Sequence, residues 1–305
     1  QQAGSWQSRA EQLLALWDRL QREIKSGDMP LACWLRLDDS GGNVDISVNA
    51  SPIQAAELLR DVLWGSCYAS VVTSATLRAL GSFQTLQRET GIPDFAHFMA
   101  VAGAFDYQQA AVIRVPADAV EGNQVDAHSR YIVDNFADYS EPRCGTLVLF
   151  SSRRQMEQVY DELSKDLQST ILIQGQLSNR EMVRLHKERI DQGRTSVLMG
   201  LASFAEGVDL PGDYCRHVVI AKLPFAVPDD PLHEALSEWI EDRGGNSFFD
   251  ISLPIASLRL IQACGRLLRT EKDTGTVTIL DKRLITKRYG TQLLNALPPF
   301  RREIG

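Results

Sequence analysis

Residues 260–269, Leu260-Ile261-Gln262-Ala263-Cys264-Gly265-Arg266-Leu267-Leu268-Arg269, place one amide, one glycine and two guanidinium groups between two apolar runs. At helical spacing Gln262, Arg266 and Arg269 share one face, while Ile261, Cys264, Leu267 and Leu268 point toward a core. A guanidinium stays ionised and binds phosphate oxygens in pairs. Arginines fixed at this spacing therefore suit stabilisation of charge on a transferring phosphoryl group. The plainer alternative is an amphipathic helix with an exposed basic edge.

A second chemical signal lies upstream. The apolar run 196–201 reads as a buried strand and feeds the loop Ala202-Ser203-Phe204-Ala205-Glu206-Gly207-Val208-Asp209-Leu210-Pro211-Gly212-Asp213. Loops at the carboxyl ends of parallel strands are where α/β sheets hold ligands. Alternatively the glycines serve a surface turn that needs φ > 0, with Asp209 and Asp213 solvated. Two hydroxyl clusters complete the inventory. Ser74 and Thr76 lie in Thr73-Ser74-Ala75-Thr76, at the end of a β-branched run expected to be a strand over 70–77. Ser151 and Ser152 follow the apolar run 145–150. The first cluster can instead cap a helix that follows it, expected over 77–86.

The segment Gln-x-x-Gly-Arg-x-x-Arg resembles motif six of the superfamily-two helicases, in particular the XPD/DinG branch. Ser-Phe-x-Glu-Gly-x-Asp-Leu is similar to motif five of the DinG group, Ser-Ala-Thr to motif three, and the strand ending in Ser151-Ser152 to motif four. The four occur in the family's order over residues 70–283. Asp281-Lys282-Arg283 and Tyr289-Gly290-x3-Leu294-x2-Leu297-Pro298 look like the tail of that group. The resemblance implies an ATP-dependent DNA helicase moving 5′ to 3′ in repair or replication. Arg266 and Arg269 would be arginine fingers, Gln262 would orient water or an arginine, and Glu206, Gly207, Asp209 and Gly265 would face ATP. Glu206 and Asp209 would either hold the arginines or contact ribose and backbone. Ser74, Thr76, Ser151, Ser152, Ser203 and Phe204 would grip single-stranded DNA.

Two family features are missing from the sequence: a Gly-x-x-x-x-Gly-Lys-[Ser/Thr] phosphate loop and an Asp-Glu-x-His magnesium box. Both belong to the first motor domain, ahead of motif three. The expectation is therefore a carboxyl-terminal portion, with residues 1–80 ending motor domain one and 81–305 forming motor domain two. ATP and Mg²⁺ would be held mainly by the rest of motor domain one, any iron–sulfur cluster would lie upstream, and the chain alone would hydrolyse no ATP. The expected partners are single-stranded DNA, the rest of the helicase and replication or repair proteins. A non-enzymatic adaptor with a motor-like fold, binding nucleic acid or a protein, is the alternative; an RNA or duplex-DNA translocase is another.

Composition is compatible with these readings. The chain has 305 residues, 44% hydrophobic and 23% charged, ordinary for a soluble globular protein. It shows no apolar run long enough to cross a bilayer and no secretory leader, so no membrane partner and a cytoplasmic, nucleoid-associated location are expected. Cys33, Cys67, Cys144, Cys215 and Cys264 form no Cys-x-x-Cys pair, which argues against zinc or an iron–sulfur cluster here; most are expected to be small core residues. A formal charge of −7 predicts weak, salt-sensitive DNA binding by the chain alone, from local positives such as Arg153, Arg154, Arg180, Arg184, Lys187 and Arg194.

The elements that must position these groups alternate. An amphipathic helix over 8–25 with Ser8-x-x-Glu11 as capping box, a hairpin of strands 31–37 and 44–48, and a helix over 53–64 come first. Strands near 110–115, 146–150, 170–174, 196–201, 217–223 and 276–280 then alternate with helices, including one capped by Ser178-x-x-Glu181 and ended by Gly193, and another over 232–240. The order predicts an α/β fold: a RecA-like parallel sheet with helices on both faces.

Overall fold

The computed structural model describes residues 2–21, 30–40, 43–226 and 230–305. They form two compact units. One draws on Gln1–Thr73, Gln84–His97 and Ala226–Ser252, the other on Ser74–Phe83, Phe98–Phe225 and Leu253–Gly305.

In the first unit, β1 (Leu31–Ser40) and β2 (Asn43–Pro52) pair antiparallel, Leu31 opposite Pro52 and Leu37 opposite Ile46. The helix Pro231–Glu241 packs on β1. The helix Gln2–Gln21 begins six residues before Ser8, so Ser8 lies inside it and is not its cap; residues 22–25 of the expected helix lie outside the described residues. The helix expected over 53–64 starts at Ala56–Leu59 and continues as a wider π turn, Arg60–Trp64.

The second unit is built on a seven-stranded sheet. Its strands are β3 (Ala111–Val115), β4 (Gly145–Phe150), β5 (Ile171–Ile173), β6 (Ser196–Leu201), β7 (His217–Ile220), β8 (Gly275–Ile279) and β9 (Arg301–Ile304). Their order is β5-β6-β4-β7-β8-β3-β9 and every pair is parallel. All six residues of β4 are buried, as a central strand covered on both faces requires. One face packs Val148, Phe150, Val197, Met199 and Val219 against Ile132, Phe136, Met156 and Val159 of flanking helices. This is the RecA-like sheet that the alternating pattern predicts. Ser178 caps its helix through the Glu181 amide at 3.3 Å, and Gly193 ends that helix at φ 70°.

Two departures have physical causes. Residues 70–77 are not a strand: Val71 is 92% exposed, and no strand among the described residues lies beside them to bond their amides. The helix expected over 77–86 is also absent. The chain turns instead through Leu80 at φ 50° and Gly81 at φ 79°, and the helix starts at Gln84. β9 has no counterpart among the expected strands, because Arg301-Arg302-Glu303 carries no apolar alternation. It is an exposed edge strand, held by backbone pairing to β3 and by the 2.8 Å pair of Arg114 with Glu303.

The cysteines also differ from expectation. Cys215 and Cys264 are buried, and burial pushes both thiols up to about 12, whereas Cys33 and Cys67 are exposed and Cys144 is half-buried. In the native chain a thiol reagent should label Cys33 and Cys67 rapidly and reach Cys215 and Cys264 only after denaturation; mass spectrometry of the labelled peptides reads this directly.

Three histidines, His128, His186 and His217, are buried, and burial lowers the pKa of each; the last two give the clearer pH signature. His186 Nε2 donates to the Tyr214 carbonyl at 2.8 Å, so its Nδ1 accepts from the Ser196 hydroxyl at 2.9 Å; His217 Nε2 meets Thr278 Oγ1 at 2.8 Å. Burial pushes both down to about 4 from 6.5. Their neutral forms favour the fold fully above about pH 6.5, and that contribution is lost as pH falls toward 4, because the unfolded chain then binds protons that the native one refuses. The thermal midpoint should drop between pH 7 and pH 5, and the drop should shrink in His217→Gln. An unchanged pH profile in that variant would contradict the assignment.

Candidate active site and nucleic-acid interface

Three segments far apart in sequence meet at the end of the helix Leu253–Cys264. Its inner face is apolar, with Leu253, Ala256, Leu260 and Cys264 fully buried, so its polar residues are presented outward in a fixed register. Gln262 donates through Nε2 to Thr76 Oγ1 at 3.4 Å. Ser257, one turn earlier and buried, accepts the Leu80 amide at 3.2 Å. The Ser-Ala-Thr segment is thus tied to the helix at Thr76, and the turn that follows it at Leu80.

The helix ends at Cys264, and exposed Gly265 leads into a turn that carries both arginines. Arg266 Nη1 donates to the Val208 carbonyl at 3.3 Å, and Arg269 Nε donates to Asp209 Oδ1 at 2.7 Å. Both guanidiniums therefore sit on adjacent residues of the motif-five loop. The Arg269–Asp209 pair is solvent-accessible, with side chains 37% and 67% exposed. Such a pair contributes at most about 1 kcal/mol, enough to orient an arginine and weak enough to give it up to a phosphate.

Asp273 holds this arrangement from below, and sequence reasoning missed it. It is 4% exposed and accepts four hydrogen bonds: the Gly212 amide (3.1 Å), the Arg269 amide (2.7 Å), the Thr270 amide (2.8 Å) and the Thr270 hydroxyl (2.7 Å). Burial raises its pKa, but these donors outweigh burial and hold it below the usual carboxylate range. Gly212 lies at φ 63°, so glycine is required where the loop meets Asp273. Gly207 needs no such conformation, and a Cβ there would meet nothing within 4 Å. The available signal for Asp273 was its place four residues after Arg269, within reach of the turn's own amides.

The remaining predicted residues divide. β4 and β6 pair with Phe150 opposite Leu201, so Ser151, Ser152 and exposed Ser203 share the carboxyl edge of the sheet. Ser152 also caps the helix Arg153–Glu162 by accepting the Gln155 amide at 3.4 Å. Ser74 is exposed and accepts the Thr76 amide at 3.3 Å. Phe204 does not belong to a DNA-facing set: it is 1% exposed, and its ring lies over Gly200 of β6, where a Cβ would come within 2.7 Å of it. The side chain of Glu206 lies outside the described residues. Among the described residues no three His, Cys, Asp or Glu side chains gather as a metal site, and no helix is long and apolar enough to cross a membrane.

A parallel sheet with a polar helix end and a ligand-bearing loop beside it is the architecture of a RecA-like motor domain. Comparison with known proteins specifies the class. The model of the helicase C-terminal domain matches residues 138–300. The chain is 40% identical to the ATP-dependent DNA helicase DinG of Photobacterium profundum, covering 99% of this chain and 44% of that protein. It is 37% identical to the protein of the same name from Escherichia coli, covering 93% of this chain and 40% of that one. It thus spans less than half the length of these curated relatives. The S. tokodaii Xpd4 structure shares the fold, with a TM-score of 0.53 at 17% identity over 85% of this chain and 48% of that one. The chain belongs to the helicase C-terminal domain family.

Removing the Asp273 carboxylate leaves the part-buried Gly212, Arg269 and Thr270 amides without their acceptor. Asp273→Ala should therefore cost about 2–3 kcal/mol, since a hydrogen bond to a charged group contributes roughly 1.5–3. Asp273→Asn, which keeps one acceptor oxygen, should cost less. Urea unfolding of the two variants checks the order.

Proposed function

We propose that this chain supplies the second motor domain, and the end of the first, to an ATP-dependent DNA helicase. The boundary falls near residue 80, with 81–305 as motor domain two. What supports the reading is the joining of Gln262 to Thr76, Arg266 to Val208 and Arg269 to Asp209, which brings three helicase motifs into one cluster. Arg266 and Arg269 act as fingers on the transferring phosphoryl, where such a group contributes about 10³–10⁵ in turnover. Asp209 holds Arg269 between turnovers, and the loop backbone at Gly207 and the turn at Gly265 lie open beside them. Gln262, bonded to the Ser-Ala-Thr segment, links the phosphate end to the DNA end.

Magnesium and the phosphate-loop contacts would belong to the rest of motor domain one; among the described residues no His, Cys, Asp and Glu group forms a metal site. The chain alone is therefore inactive as an ATPase. Single-stranded DNA runs along the carboxyl edge that carries Ser151, Ser152 and Ser203, with Ser74 and Thr76 nearer motif six. The weak contribution of the Arg269–Asp209 pair supports release of the arginine each time nucleotide arrives.

In the full-length protein, Arg266→Ala or Arg269→Ala should lower DNA-stimulated ATP turnover by about 10³ or more with little change in thermal midpoint. Arg→Lys should fail almost as badly, for want of the planar fork. A stable alanine variant with wild-type turnover would remove the reading.

A further inference from the structure

Behind the motif-four helix lies a chain of three buried polar side chains that the arginine cluster does not use. Gln155, the third residue of the helix Arg153–Glu162, is 4% exposed, and His128 and Ser129 of the helix Val125–Asn135 are fully buried. His128 Nε2 lies 3.2 Å from the Leu280 carbonyl, which can only accept, so Nε2 carries the proton and Nδ1 is an acceptor. Gln155 Nε2 donates to His128 Nδ1 at 2.9 Å and to Ser129 Oγ at 3.1 Å, and the Ser129 hydroxyl donates onward to the Val125 carbonyl at 2.8 Å. Each polar proton of the three side chains has its acceptor. A cationic ring would turn a second donor toward the Gln155 amide; burial lowers the His128 pKa and keeps the ring neutral.

Both ends of this chain reach the carboxyl edge of the sheet. At one end, the backbone amide of the same Gln155 donates to Ser152 Oγ at 3.4 Å. At the other, Leu280 bonds the Ile220 carbonyl of β7 through its amide at 3.0 Å, and the next residue, Asp281, accepts the Leu223 and Gly122 amides at 3.1 Å each. The tail motif Asp281-Lys282-Arg283 and the motif-four serines are thus joined by contacts shielded from water. Stability alone does not call for them. The cluster that packs on the same two helices is apolar, with Ile132, Met156, Val159 and Leu280, and apolar groups of the same shape in place of a buried hydrogen-bonded pair are close to neutral. What a fully satisfied buried network adds is a single geometry.

We propose that Gln155 and His128 are positioning residues: they fix the start of the motif-four helix, and with it Ser152, where Ser152 meets a backbone phosphate of single-stranded DNA. This rests on the helicase reading above. Both are buried and touch no DNA, so they set the affinity for DNA without entering the ATP step.

The test measures ATP turnover of the full-length protein against the concentration of single-stranded DNA, with thermal midpoints as the folding control. It compares wild type, Ser152→Ala, the paired variant Gln155→Leu with His128→Leu, and the triple variant. The paired variant should raise the DNA concentration for half-maximal stimulation about three- to tenfold and leave turnover at saturating DNA unchanged. The triple variant should be no worse than Ser152→Ala, because residues that act through one another do not add. If the paired variant does not fold, Gln155→Met, which keeps the unbranched shape and removes the amide, takes its place with the same expectations. A folded variant with a wild-type response to DNA, or a triple variant impaired by the sum of the two effects, overturns the positioning role alone; so does failure of both Gln155 variants to fold, because the fold itself would then require the network. Wild-type protein whose turnover ignores single-stranded DNA overturns the helicase reading, and Ser152→Ala with a wild-type response overturns the place of Ser152 in it; either takes this inference with it.

Discussion

One buried carboxylate fixes the relation between the two chemical segments of this domain. Asp273 bonds the Gly212 amide of the motif-five loop and the amides of Arg269 and Thr270 in the motif-six turn. It supplements the side-chain bonds of Arg266 and Arg269 with a backbone tie between the loop that offers Val208 and Asp209 and the turn that carries the arginines. An arginine finger acts by geometry, and a displacement of about 1 Å can cost a hundredfold in rate. On the proposed reading, the backbone held by Asp273 would set the position of the turn while the guanidiniums change partners.

The same division of labour runs through the unit. The parallel sheet contributes burial and register, with every residue of β4 covered, and it delivers Ser151, Ser152 and Ser203 to one edge. The helix Leu253–Cys264 contributes a buried apolar face that fixes the direction of its last turn. Polar side chains between segments then carry the coupling. Gln262 ties Thr76 of the Ser-Ala-Thr segment to the last turn of the helix, and Ser257 ties the following Leu80 to its middle.

Much of this was legible in the residues. The alternation of apolar runs and capped helices gave the parallel sheet, because burial on both faces leaves a β-branched signature that periodicity detects. The expected helical face of Gln262, Arg266 and Arg269 is not formed: the helix ends at Cys264, Gln262 alone lies on it, and the turn beginning at Gly265 brings the two arginines to the loop instead. Tertiary context decided the rest. Residues 70–77 have strand composition and no strand, because pairing needs a neighbour that composition cannot supply. β9 has no strand composition and is one, because β3 offers it an edge. Phe204 sits in a motif and in the core at once, and only the short reach from Gly200 shows which role its ring has. Asp273 carried no motif of its own; its importance lies in three amides that become neighbours on folding.

The central claim is that both arginines leave the motif-five loop for the transferring phosphoryl group. The most direct measurement is a structure of the full-length protein with single-stranded DNA and ADP–aluminium fluoride, a mimic of the phosphoryl transition state. The account predicts the Arg269–Asp209 contact broken and the Arg266 and Arg269 guanidiniums within hydrogen-bonding distance of the fluoride or β-phosphate, with the Asp273 bonds unchanged. Arginines still held by Val208 and Asp209 in that complex would contradict it.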